Sequence, residues 1–216
     1  MRPLLVIGAS GLAREVLAFA PAAGFEPIGI LDDAASRLPY PVGGVRVIGP
    51  IEEVGRIPGI QLLVCIGSGA ARERIVARLG RLGVEAGRYA TLLDPSVRNP
   101  GGCRVGAGSI LLAGVVVTAD ALVGDHVVVM PNTTITHDCI VGDFATLTAG
   151  VSLGGGVTVG RRATVGMNAS VRQRVTIGAD ATIGMGAVVL DDVPAGATWV
   201  GVPAAPMRYA ATGGAA

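Results

Sequence analysis

Lysine is missing from this sequence altogether, and aromatic residues make up only 3% of it. All 17 basic residues are arginines, set against 16 acids, so the net charge is only +1. A chain this balanced has no electrostatic reason to seek nucleic acid or a charged membrane surface. With so few large rings, its core must stack small aliphatic side chains in a regular way. Long apolar runs are lacking too. The longest, "ILLAGVVVTA", stops at Asp120, well short of the roughly 20 residues a spanning helix needs. The opening "MRPLLVIGASGLAREVLAFA" has the early arginine and apolar stretch of a secretory leader. However, Arg14 and Glu15 fall late in it and its glycines sit at turn positions, so a strand and helix are expected instead. The three cysteines (Cys65, Cys103, Cys139) form no CxxC pair and leave an odd one out, which reads as a reduced, cytoplasmic protein. The two histidines, His126 and His137, are too few for a three-imidazole zinc site, so no metal is expected.

Glycine, by contrast, is abundant: 34 of 216 residues, against a usual share of about 7%. Up to about residue 90 it punctuates an alternation of strands and helices. "LLVIGAS" reads as a buried strand entering a glycine turn, and "LAREVLAFAPAAG" as a helix with Leu12, Val16 and Phe19 on one face. "PIGILDD" and "LLVCIGSG" are further strands, the second followed by the helical "AARERIVARLGRLG". Such alternation makes a small parallel α/β sheet, and ligands of these sheets bind at the carboxyl ends of the strands. The places singled out by that rule are Gly8, Ser10, Gly11 and Leu12, then Asp32 and Asp33, then Gly67 and Ser68. A dinucleotide fingerprint would need glycine where Ser10 and Ala13 stand, which argues against hydride chemistry.

From Val105 the grammar changes. Fifteen hexads follow without an insertion as far as Pro194, beginning VGAGSI, LLAGVV, VTADAL, VGDHVV. Each opens on Val, Leu or Ile, and each fifth position is Ser, Thr, Cys, Ala or Val. This is the period of a parallel β-helix in which three hexads close one triangular coil. First-position aliphatics stack inward and the small fifth positions fill the corners. The α/β half and the tail beyond Val193 are expected to cover the ends.

In that register His137, within "THDC", is the third residue of its hexad. Its vertical neighbours, 18 positions away, are Ala119 and Gly155. An imidazole beside an unobstructed backbone amide suits attack on a carbonyl, since one group takes a proton and the other meets an oxyanion. Asp138 can fix the tautomer of His137, as the third member of a triad does. A solvated turn residue fits the same position. His126, in "VGDHVV", has no such glycine a coil above it and is expected to be structural.

"GASGLAREV", "ILDD", "THD", "SLGGGVTVG", "GMNASV" and "VGVPA" together resemble the hexapeptide-repeat bacterial sugar acyltransferases of the sialic-acid and bacillosamine type, over nearly the whole chain. The resemblance implies a Rossmann-like nucleotide-sugar-binding domain (1–90) and a left-handed β-helix with C-terminal tail (91–216). It implies a homotrimer, acetyl-CoA as co-substrate rather than a resident cofactor, and N-acetylation of a nucleotide-linked amino sugar. His137 becomes the general base, Asp138 its partner and Gly155 the oxyanion donor. Gly8 to Leu12 (with Ser10 and Gly11), Asp32, Asp33, Gly67 and Ser68 become sugar-nucleotide contacts. Acetyl-CoA would be lined by Thr146, Gly155, Met167, Asn168 and Met185. Leu12 and Thr146 stand where some relatives carry histidine. O-acetylation and a non-catalytic scaffold remain as alternatives.

Overall fold

The computed structural model describes residues 1–37, 41–100 and 102–207. The N-terminal sheet runs in the order β3-β2-β1-β4, all parallel, with β1 at Arg2–Ile7, β2 at Phe25–Leu31, β3 at Val47–Gly49 and β4 at Gln61–Val64. Side chains alternate across β1, and both sets are buried. Leu4 and Val6 pack with α1 (Gly11–Phe19), while Leu5 and Ile7 join Leu62, Val64 and Leu79 of α2 (Gly69–Arg81). Ser10 and Ser68 cap the two helices, each accepting a hydrogen bond from the amide three residues on.

The rest is a left-handed β-helix of two-residue strands on three faces. The first face stacks Ile110–Leu111, Val128–Val129, Thr146–Leu147, Thr164–Val165 and Thr182–Ile183. The second stacks Val116–Val117, Thr134–Ile135, Ser152–Leu153, Ser170–Val171 and Val188–Val189. The third runs from Arg104–Val105 through Leu122–Val123, Ile140–Val141 and Thr158–Val159 to Thr176–Ile177. Between faces the chain turns through the third and fourth hexad positions. The fourth is left-handed throughout from Gly108 to Gly186, at glycine or at residues such as His126, Asn132 and Asp138.

The coil begins before the repeat does. Leu92–Leu93 already pairs with Ile110–Leu111, and Arg98 bridges to Val116. The hexad rule hides this first coil because Asn99 stands where an aliphatic residue would be expected, followed by Pro100. The α/β domain does not sit over the open end of the solenoid. It lies along the first face, where Ile110, Leu112 and Val128 complete the core beneath Leu4, Val6 and Ala13. At the far end a hairpin of Thr198–Val200 and Ala205–Pro206 folds over the last coil, with Trp199 and Ala204 against the core. Residues 208–216 of the expected tail lie outside the described residues. Among the described residues no helix is long and apolar enough to cross a membrane.

Candidate active site

His137 stands on the corner between the second and third faces. The peptide that follows it is pinned on both sides: its carbonyl accepts from the Gly156 amide (2.9 Å), and the Asp138 amide donates to the Ala119 carbonyl (3.1 Å). Asp138 takes the left-handed conformation of its turn position (φ 60), which brings its carboxylate back to His137 Nδ1 at 2.7 Å. Both side chains are exposed. The ring lies over Gly155, one coil on, where a Cβ would run into Cε1 and Nε2. Only glycine lets the imidazole rest there. The Gly155 N–H finds no acceptor among the described residues, and His137, Gly155, Gln173 and Arg174 line an open cleft. Cys139 is buried, its thiol donating to the Gly154 carbonyl (3.3 Å), and offers no accessible nucleophile.

A second cavity opens where the strand ends of the α/β domain meet the first face. Gly11, Leu12, Glu15, Gly67 and Ser68 line one side of it, and Met130, Thr146, Thr148 and Thr164 lie among the β-helix residues on the other. Gly8 and Ser10 lie behind this wall. The Gly8 amide donates to the Leu31 carbonyl (2.8 Å), and the Ser10 hydroxyl donates to the Cys65 carbonyl (2.7 Å). Asp32 braces the same turn, accepting from the Ala9 (2.8 Å) and Ala34 (2.7 Å) amides. Asp33 is ion-paired with Arg78 at 2.6 Å, which holds its carboxyl below the usual range, and Arg78 also meets Glu52.

Thr146, expected beside CoA, falls in this second cavity. It is buried and donates to the Gly67 carbonyl at 3.1 Å. Met167, Asn168 and Met185 form a third group, on the corner between the first and second faces. The Gly186 amide reaches the Met167 carbonyl at 2.7 Å, and both methionines are exposed. One chain therefore gathers the named residues at three places, with the second face lying between His137 and the methionines. Arg72, which no motif singled out, is fully buried behind the second cavity. The available signal was an arginine sharing the helical stripe of Gly69 and Leu79, the buried face of α2. His126 is packed away between the ring of Phe144, stacked at 5.1 Å, and the edge of Tyr89 at 4.6 Å. Burial pulls its pKa down to about 4.

Comparison with known proteins gives this arrangement a lineage. Residues 3–79 match the family described as PglD N-terminal domain, and residues 156–191 match the bacterial transferase hexapeptide. The acetyltransferase domain of PglB from Neisseria gonorrhoeae, solved with acetyl coenzyme A, is 32% identical over 95% of this chain and 99% of its own, with a TM-score of 0.86. The chain belongs to the hexapeptide-repeat sugar acyltransferases. PerB from Caulobacter crescentus, solved with CoA and GDP-perosamine, is 31% identical over 96% of this chain and 98% of its own, with a TM-score of 0.87. A search of curated proteins gave no match.

Proposed function

We propose that this acyltransferase moves the acetyl group of acetyl-CoA onto the amine of a nucleotide-linked amino sugar, a 4-amino-4,6-dideoxyhexose. The observation that carries the reading is the His137 corner, with a carboxylate on Nδ1 and bare backbone beneath Nε2. Asp138 keeps the Nδ1 proton in place, so Nε2 is the free base. As the amine nitrogen bonds to the thioester carbonyl, Nε2 takes its proton. The oxyanion is met by the Gly155 N–H, and collapse breaks the carbon–sulfur bond to release CoA thiolate. Structural relatives holding acetyl coenzyme A, and CoA with GDP-perosamine, support this pair of substrates.

The sugar nucleotide lies in the cavity of Gly11, Leu12, Gly67 and Ser68, and CoA runs along Met167, Asn168 and Met185. Both regions border the first face, whereas His137 faces away across the second. A neighbouring copy must therefore bring its His137 corner to this chain's cavity, and a homotrimer with its second faces turned inward does so three times.

A thiol-release assay with acetyl-CoA against UDP-, GDP- and dTDP-linked 4-amino sugars tests the reading. Turnover on one of them, lost by roughly 10²–10⁴-fold in His137→Ala with acetyl-CoA still bound, is the expected result. Silence across the amino sugars while acetyl-CoA still binds would sink it.

A further inference from the structure

Arg72 is a buried cation without a buried anion. Its side chain is fully enclosed, and among the described residues no carboxylate pairs with it. Its guanidinium is instead spent on uncharged oxygens from both domains. From the α/β side come the carbonyls of Ile66 (2.6 Å) and Gly67 (3.1 Å), in the loop that follows β4 and leads into the cavity lining. From two successive coils of the β-helix come the carbonyls of His126 (2.7 Å), Phe144 (2.8 Å) and Ala145 (3.1 Å), and the hydroxyl of Thr146 (3.2 Å). Thr146 closes the ring by donating to Gly67. Burial lowers the Arg72 pKa to about 10, which leaves it charged at neutral pH.

A charge taken out of water and left without a counter-ion is costly, so a fold that keeps one gains something from it. Two of the groups it grips, Gly67 and Thr146, line the same cavity and meet at the seam where its α/β and β-helix walls join. The guanidinium fork is rigid and planar, so it fixes the spacing between those walls in a way a flexible ammonium cannot. The field of an unneutralised cation behind them also favours an anion in front.

We propose that Arg72 is the positioning residue of the nucleotide-sugar cavity. It locks the Gly67–Ser68 loop to the β-helix at one separation and leaves a positive charge behind the wall that receives the diphosphate. This rests on the cavity being the nucleotide site. Domain docking in general has a separate fastening: Glu73 pairs with Arg162 at 2.6 Å and with Arg161, and touches neither Gly67 nor Thr146.

The two fastenings can be told apart in the full-length protein. UDP, GDP and dTDP are titrated by calorimetry into wild type, Arg72→Lys, Arg72→Met and Glu73→Gln, and KM for both substrates is measured alongside. We expect Arg72→Lys to weaken the preferred nucleoside diphosphate by about tenfold, and Arg72→Met, where it folds, by on the order of a hundredfold. The acetyl-CoA KM stays within about threefold in each, and Glu73→Gln leaves nucleotide affinity unchanged. If wild type binds a nucleoside diphosphate and Arg72→Lys binds it equally well, the positioning role is wrong while the cavity assignment stands. Equal weakening by Glu73→Gln would reduce Arg72 to a domain fastener. If wild type binds no nucleoside diphosphate, the cavity assignment fails and takes this role with it.

Discussion

At the scale of single residues, the contact between His137 and Gly155 makes a separable prediction. Gly155 lies outside the left-handed region, so alanine strains no backbone there and only the imidazole must give way. The ring is exposed and can swing aside. Gly155→Ala should therefore lower kcat by on the order of ten- to a hundredfold while the melting temperature scarcely moves. A parallel fall in stability and rate would mean that the glycine serves the coil rather than the chemistry. Asp138→Asn probes the other side of the ring, and a loss of roughly tenfold or more in kcat is expected because the amide no longer dictates the tautomer. His126 bears on stability instead. It is neutral when folded and regains the ordinary pKa of 6.5 on unfolding, so the unfolded chain binds the extra proton. Stability is thus fully present above about pH 6.5 and drains as the pH falls towards 4, by about 3 kcal/mol in all. The arginine-paired Asp33, Glu73 and Asp180 are lost at lower pH, since their pKa values are held down. Thermal denaturation across pH 5 to 6.5 should show this slope in wild type and not in His126→Asn, whose side chain suits the left-handed backbone at that position.

At the scale of elements, helix α2 is seated through its first residue. A Cβ on Gly69 would strike the Phe144 carbonyl, so Gly69→Ala must lift the helix off the β-helix and lower stability by roughly 1–3 kcal/mol. An unchanged melting temperature would show that this seat is looser than drawn. The same helix shows where sequence reasoning reaches its limit. Its existence follows from local pattern, because helical period is a property of neighbours in the chain, whereas Ser68, read as a ligand contact, also caps it. The coils from Val105 onward are legible for the same reason, and so is the stacking of His137 over Gly155, since a strict 18-residue register turns sequence distance into vertical distance. Partners set by the meeting of the two domains are not legible. Arg72 reaches residues 54 to 74 positions away, and nothing in "AARERIV" encodes them. Asp32 and Thr146 look like ligand contacts in the sequence, yet the structure engages each first within the protein. The acid braces the Ala9 turn and the hydroxyl bonds Gly67.

At the scale of the whole molecule, the proposed trimer, in which a neighbouring copy's His137 corner meets the cavity, would make activity a property of paired subunits. Co-expressing His137→Ala with Leu12→Asp, which blocks the cavity, should restore about a quarter of wild-type turnover. Random assembly puts an intact histidine beside an intact cavity at about one interface in four. Failure to complement, with mixed oligomers present, would place the whole site within one chain. The coil geometry also sets how such a site can change. Adjacent strands on a face are about 4.8 Å apart, and three hexads return the chain to the same corner. Adding or removing a single hexad would carry His137 to a different corner, a third of a turn away from any partner's cavity. Adding or removing a whole coil keeps it on its corner but slides it along the axis by one strand spacing. Under the proposed mechanism, the height of the base relative to the sugar is therefore quantised. An acceptor with its amine one carbon further along the ring has to be met by movement of the α/β domain, because the solenoid has no half-step to offer.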